Sequence, residues 1–128
     1  MVRRMSDTDI LIVGGGLNGP ALAIALAQAG FGVTVVDALP RETRTEARFD
    51  GRSYALALGS VRLLTALGLW DRLGPEAQPI LGIRVSDGRP GEGTAPLSLG
   101  FDHSEIEEGP MGHMGEDRHL RPTLPDAM

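Results

Sequence analysis

Three glycines, Gly14, Gly16 and Gly19, stand between an apolar run and an alanine-rich segment, and they constrain the fold of this chain more than any other feature. Ile10–Val13 is apolar without alternation, the pattern of a strand covered on both faces in a parallel sheet. A turn must come next, because three consecutive glycines cannot continue a strand at low entropic cost. The run Ala21–Ala29 then has high helix propensity, with Leu22 and Leu26 one turn apart and Ala21, Ala25 and Ala29 on a neighbouring stripe. Asn18 is placed to cap that helix, Pro20 fits its first turn, and Gly30 closes it.

Val33–Val36 is a second apolar strand, and Asp37 stands at its end, 23 residues past Gly14 by subtraction. Strand, glycine turn, helix, strand and terminal acid form the βαβ unit that binds the adenosine diphosphate half of a dinucleotide. Gly14 allows the sharp turn, Gly16 lets a pyrophosphate approach the backbone, and Gly19 lets helix and strand pack closely. Gly15, Leu17 and Asn18 complete the turn at the helix N-terminus, where unpaired N–H groups favour phosphate. Asp37 is the acceptor for ribose hydroxyls, and its charge disfavours a 2′-phosphate.

Composition supports one globular domain. The 18 glycines are about twice the usual share of roughly 7 %, but they fall between apolar runs. Twelve basic against 17 acidic residues give a net charge of −5 with no basic block, which excludes nucleic acid as a partner. No cysteine is present, so thiol nucleophiles and thiolate metal sites are excluded, and a reducing, cytoplasmic setting is expected. Arg3 and Arg4 precede an apolar run too short for a signal peptide or a membrane span.

Leu39–Gly51 reads as a solvated loop, with Arg41, Arg44 and Arg48 as surface charge. The alternation of Tyr54, Leu56 and Leu58 favours an extended segment. Ser60 is placed to cap a helix over Val61–Leu67, with Leu63, Leu64 and Leu67 on one side, closed by Gly68 with Leu69 folding back. Leu69–Leu73 is one more turn. Ile80–Ser86 and Leu97–Asp102 read as a hairpin with a flexible tip at Gly91–Ala95. Glu105–Glu108 is expected to be loop, and His103, His113 and His119 to be isolated surface residues with no metal-ligand spacing. Gly112–Glu116 reads as a strand before a helix at Arg118–Met128, which Pro122 and Pro125 oppose at about 3 kcal/mol each.

Three segments, DILIVGGGLNGPALAIALAQAGFGVTVVD (9–37), DGRSYALALGSVRLLTALGLW (50–70) and EDRHLR (116–121), together resemble the FAD-dependent aromatic hydroxylases of ubiquinone biosynthesis, class A flavoprotein monooxygenases. The resemblance implies FAD as cofactor, NAD(P)H as reductant and dioxygen as oxidant. Its implied substrate is an aromatic, polyprenylated ubiquinone precursor. It places Asp37 at the adenosine ribose, Arg52 beside the pyrophosphate and ribityl chain, and Asp117 where relatives carry Gln or Asn near the flavin. The lipid-tailed substrates imply peripheral contact with the inner membrane or with a biosynthetic complex. No catalytic side chain is expected, because the flavin carries the chemistry.

The expected fold is α/β: a Rossmann-like βαβ FAD-binding domain with a parallel sheet, plus the start of a β-rich substrate domain. The expected divisions are 1–79 for the βαβ core and following helices, 80–111 for a hairpin insertion, and 112–128 for a return strand and incomplete helix. Family members are several hundred residues long, so the chain reads as a truncated N-terminal part. An NAD-linked dehydrogenase-type domain and a non-catalytic remnant are the alternatives.

Overall fold

The computed structural model describes residues 8–46, 49–88, 90–91, 93 and 96–128; Arg3, Arg4, Arg48 and part of the 91–95 tip lie outside them, as does the side chain of Arg44. The βαβ unit is present. β1 (Ile10–Val13) and β2 (Val33–Val36) pair in parallel, with Ile10 opposite Val33 and Val13 opposite Val36. They are joined through α1 (Asn18–Gln28).

The sheet is covered on one face only among the described residues. Ile10, Ile12, Val33 and Val35 are half-buried, whereas Leu11, Val13, Thr34 and Val36 are exposed. That corrects the expectation of a strand buried on both faces: an apolar run records what a strand is suited to, and here α1 supplies one cover. Two further differences concern α1. Its N-cap is Leu17, with no side-chain cap, so Asn18 is the first helical residue. Its inward face is Pro20, Ala23 and Ile24, while Leu22 is exposed. Gly30 ends the helix at φ +91°, donating its N–H to Ala27 O at 2.9 Å.

The segment 39–51 contains a short helix, α2 (Arg41–Thr45), and is not simply loop. Arg41 is more than surface charge: its Nη2 donates to Pro125 O at 3.0 Å and pairs with Asp126 at 3.0 Å. β3 (Ser53–Ala57) runs directly into α3 (Leu58–Ala66), which starts two residues before Ser60, so Ser60 caps nothing. At its C-terminus Gly68 (φ +74°) donates to Thr65 O, and Leu69 donates to Leu64 O at 2.9 Å, both bonds of a Schellman cap. Leu69 is thereby folded into the core, whereas Leu63 faces solvent.

α4 (Trp70–Leu73) leads to β4 (Gln78–Pro79). β5 (Gly82–Ser86) and β6 (Ser98–Asp102) form the expected antiparallel hairpin. β7 (Gly112–Glu116) then returns between β3 and β4, antiparallel to both. α5 (Asp117–Asp126) continues from it without a break and contains both Pro122 and Pro125. The helix forms despite them because Leu120 and Leu124 are 3 % and 2 % exposed in the core; tertiary burial outweighs local propensity. Ile24, Leu64, Leu67, Leu69 and Leu73 complete that core, with Tyr54, Leu56 and Trp70 packed on it. α1 is tied to α3 by Gln28 Nε2 donating to Leu67 O at 3.0 Å.

Candidate functional site

The glycine turn is shaped by backbone contact. Gly14 has φ +114° and donates its N–H to Val36 O at 2.8 Å, which fixes the turn to the end of β2. A Cβ at Gly19 would lie 1.8 Å from Gly14 O, so only glycine lets α1 leave the turn this closely. At Gly16 a Cβ would meet nothing within 4 Å.

Asp37 closes onto this turn. Its Oδ2 accepts from Gly15 N at 2.5 Å and its Oδ1 from Leu39 N at 2.7 Å, which fixes the carboxylate at the mouth of a cleft of about 320 Å³. Gly15, Gly16 and Leu17 form one wall, with Asp37, Leu39 and Thr43 beside them. Arg52, Tyr54, Asp117 and Arg121 form the other. Gly14, Asn18 and Gly19 do not reach this cleft; they line an adjoining depression that shares Gly16 and Leu17.

Three residues of the far wall, Arg52, Asp117 and Arg121, form a network with Asp50, which does not itself line the cleft. Arg52 Nε donates to Asp50 Oδ2 at 2.6 Å, with Nη2 2.5 Å from the same oxygen, and Asp50 Oδ1 accepts Arg52 N–H at 3.0 Å. These hydrogen bonds hold the Asp50 carboxyl below the usual range and raise the Arg52 guanidinium above its own. Asp117 is buried at the first position of α5; its N–H donates to Arg52 O at 3.0 Å, and its Oδ2 lies 3.7 Å from Arg52 Nη2. Arg121, one turn later, closes on the same Oδ2 and lies 3.5 Å from Asp50 Oδ2. A carboxylate therefore stands where the resemblance places an amide, and Arg121 neutralises it.

Asp50 and Arg121 are the residues of this network that sequence reasoning did not assign to the site. Both had a local signal: Asp50 in the spacing Asp-x-Arg, Arg121 in the i,i+4 spacing from Asp117. Tyr54 had none, beyond an inward alternation. The histidine expectation also needs correction: His103, His113 and His119 are all half-buried, and His119 Nε2 lies 3.9 Å from Glu116 Oε2 and 4.0 Å from Glu76 Oε2. His113 is half-buried, its ring 5.0 Å from Trp70 in an edge-on contact, because β7 turns it toward the helices.

A βαβ unit with a fixed glycine turn, an acid closing on it and an arginine-bearing wall opposite defines a nucleotide-binding domain. The chain belongs to the FAD binding domain family, whose model matches residues 7–113. It is 50 % identical over 116 residues to the ubiquinone hydroxylase UbiL of Rhodospirillum rubrum, covering 91 % of this chain and 26 % of that protein. It is 36 % identical over 123 residues to the 3-demethoxyubiquinol 3-hydroxylase of Escherichia coli, covering 94 % of this chain and 30 % of that protein. The flavoprotein/dehydrogenase structure from Cytophaga hutchinsonii matches with a TM-score of 0.64 at 21 % identity, over 93 % of this chain and 27 % of that one, a likeness of fold. The chain thus spans between a quarter and a third of the length of these two curated relatives.

The residues present fit FAD. At Gly16 no side chain intervenes between the turn and the cleft, and the opposite wall carries the guanidinium donors of Arg52 and Arg121. Among the described residues no helix is long and apolar enough to cross a membrane.

Proposed function

We propose that this chain is the FAD-binding N-terminal part of a monooxygenase that hydroxylates an aromatic ubiquinone precursor, using NAD(P)H and dioxygen. The observation that carries this reading is the single cleft joining Gly15, Gly16 and Asp37 to Arg52 and Asp117. Its substrate class rests on the names of the relatives from Rhodospirillum rubrum and Escherichia coli.

In this reading Asp37 accepts from the adenosine ribose, since a carboxylate takes up to about four hydrogen bonds. Gly14, Gly15, Gly16, Leu17, Asn18 and Gly19 place the turn and the start of α1 against the pyrophosphate. Arg52 and the start of α5 at Asp117 face the part of the cofactor beyond it. FAD supplies, when bound, the electron transfer and oxygen activation that no side chain here provides. The protein's part is to bind, orient and exclude water, and no residue of this chain is assigned as catalytic.

The division at 80–111 belongs to the same reading. β4 and β7 are neighbours in one sheet, so the β5–β6 hairpin departs from and returns to that sheet, as an insertion that begins a substrate domain does. Peripheral contact with a membrane or a biosynthetic complex rests only on a polyprenylated substrate. The NAD-linked dehydrogenase reading is disfavoured by the course of the chain after β2. A short helix and an antiparallel sheet, β3–β7–β4, stand where that class continues to a third parallel strand.

Titrating the purified protein with FAD, ADP and NAD tests the cofactor. FAD is expected to bind most tightly and to stay with the protein as flavin absorbance through gel filtration. Preference for NAD would contradict it.

A further inference from the structure

The residue that the proposed function leaves without a role is Asp50. It lies outside the glycine turn and is not among the residues lining the cleft, yet three contacts tie it to Arg52: to Nε, to Nη2 and to the backbone N–H. Arg52 is 56 % exposed and carries five N–H donors on a planar fork. Its Nε/Nη2 edge is taken by Asp50, and its Nη2 also faces Asp117 at 3.7 Å. Among the described residues Nη1 meets no hydrogen-bond partner. An unrestrained arginine of this exposure samples many rotamers, and fixing one edge of the fork fixes the direction of the other.

The order of groups along the ligand says what that other edge meets. Asp37 marks the adenosine end and the glycine turn marks the pyrophosphate. The wall that remains is Arg52, Tyr54, Asp117 and Arg121, and it is beside Arg52 that the resemblance implies the ribityl chain of FAD. We propose that Asp50 is a positioning residue: by holding the Nε/Nη2 edge of Arg52 it presents Nη1 to the ribityl chain of FAD. This rests on FAD being the ligand of the cleft. Asp50 touches no cofactor atom in this arrangement and acts through Arg52; its other cation, Arg121 at 3.5 Å, is held by Asp117 in α5.

The test compares FAD with ADP, which lacks the ribityl chain, in Asp50→Asn, Arg52→Ala and the double variant. Asparagine keeps the size of the side chain and an oxygen for Arg52 N–H but loses the ionic hold. FAD affinity is expected to fall about tenfold in Asp50→Asn, the loss of a charge-assisted bond, with ADP affinity changed less than about twofold. The double variant is expected to bind FAD no worse than Arg52→Ala alone, because both remove one interaction. Equal losses for FAD and ADP, or additive losses in the double variant, would overturn the role of Asp50. Wild-type protein that retains no FAD would overturn the cofactor reading as well, which separates the two failures.

Discussion

Arg121 closes on Oδ2 of Asp117 from one helical turn away and so gives the buried carboxylate of the cleft an ionic partner within its own helix. The pair explains how an acid is tolerated at a position where the resemblance places an amide. It also predicts an asymmetry. Arg121→Leu leaves Asp117 buried with only Arg52 at 3.7 Å, and is expected to cost about 2 kcal/mol, less than the roughly 3–5 of a fully broken buried pair. Asp117→Asn leaves two arginines that are partly exposed and is expected to cost roughly 1 kcal/mol or less. Urea unfolding of both variants checks the order, and a larger loss in Asp117→Asn would contradict it.

Two glycines of the turn are expected to separate folding from binding. Gly19→Ala puts a methyl group into the backbone of Gly14, and is expected to destabilise by about 3 kcal/mol, because the atom it meets is a backbone carbonyl rather than the end of a flexible side chain. Gly16→Val meets no protein atom with its Cβ, so the unfolding midpoint is expected to change little while nucleotide binding is lost. Chemical denaturation paired with FAD titration reads both. Retained binding in Gly16→Val would place the ligand elsewhere.

The legible part of the chain was the part whose signals are local. Gly30 and Gly68 each end a helix with positive φ, and the apolar runs at 10–13 and 33–36 are strands at those bounds. The features that stayed hidden depend on partners far away in sequence. Arg41 looked like surface charge because its acceptor, Pro125 O, lies 84 residues on. His113 looked isolated because Trp70 meets it only once β7 has returned beside β3. Pro122 and Pro125 argued against a helix that Leu120 and Leu124 hold in the core. In the cleft, Asp37 and Arg52 were found by motif and resemblance, whereas Asp50 and Arg121, each with a local spacing to its partner, meet one another only through the fold, at 3.5 Å.

Pro122 offers a direct check on that balance. In an α-helix its missing N–H leaves the carbonyl of Arg118 without an intrahelical donor. Pro122→Ala is expected to raise stability, by up to about 3 kcal/mol, since alanine suits the same helical position. A lowered melting temperature would mean that the proline ring contributes more by packing than the absent hydrogen bond costs.

Asp50 sets a pH dependence. Its carboxyl is held below the ordinary range first by the hydrogen bond from the Arg52 side chain and then by that from Arg52 N–H. A depressed folded-state value gives stabilisation that is fully present above about pH 4, the unfolded value, and is lost as pH falls through the folded one. The stability difference between wild type and Asp50→Asn is therefore expected to shrink as pH is lowered below about 4. Thermal melts between about pH 3 and 7, on the order of half-unit steps, measure it; a difference independent of pH would refute the ionic hold.

The central claim is that FAD lies in the cleft between the glycine turn and the Arg52 wall. Amide hydrogen exchange with and without FAD tests it most directly. Slowed exchange at Gly15–Leu17, at Arg52–Tyr54 and at the start of α5 is the predicted result. Protection at the turn alone, with Arg52–Tyr54 and α5 unchanged, would contradict the claim that this wall holds the cofactor.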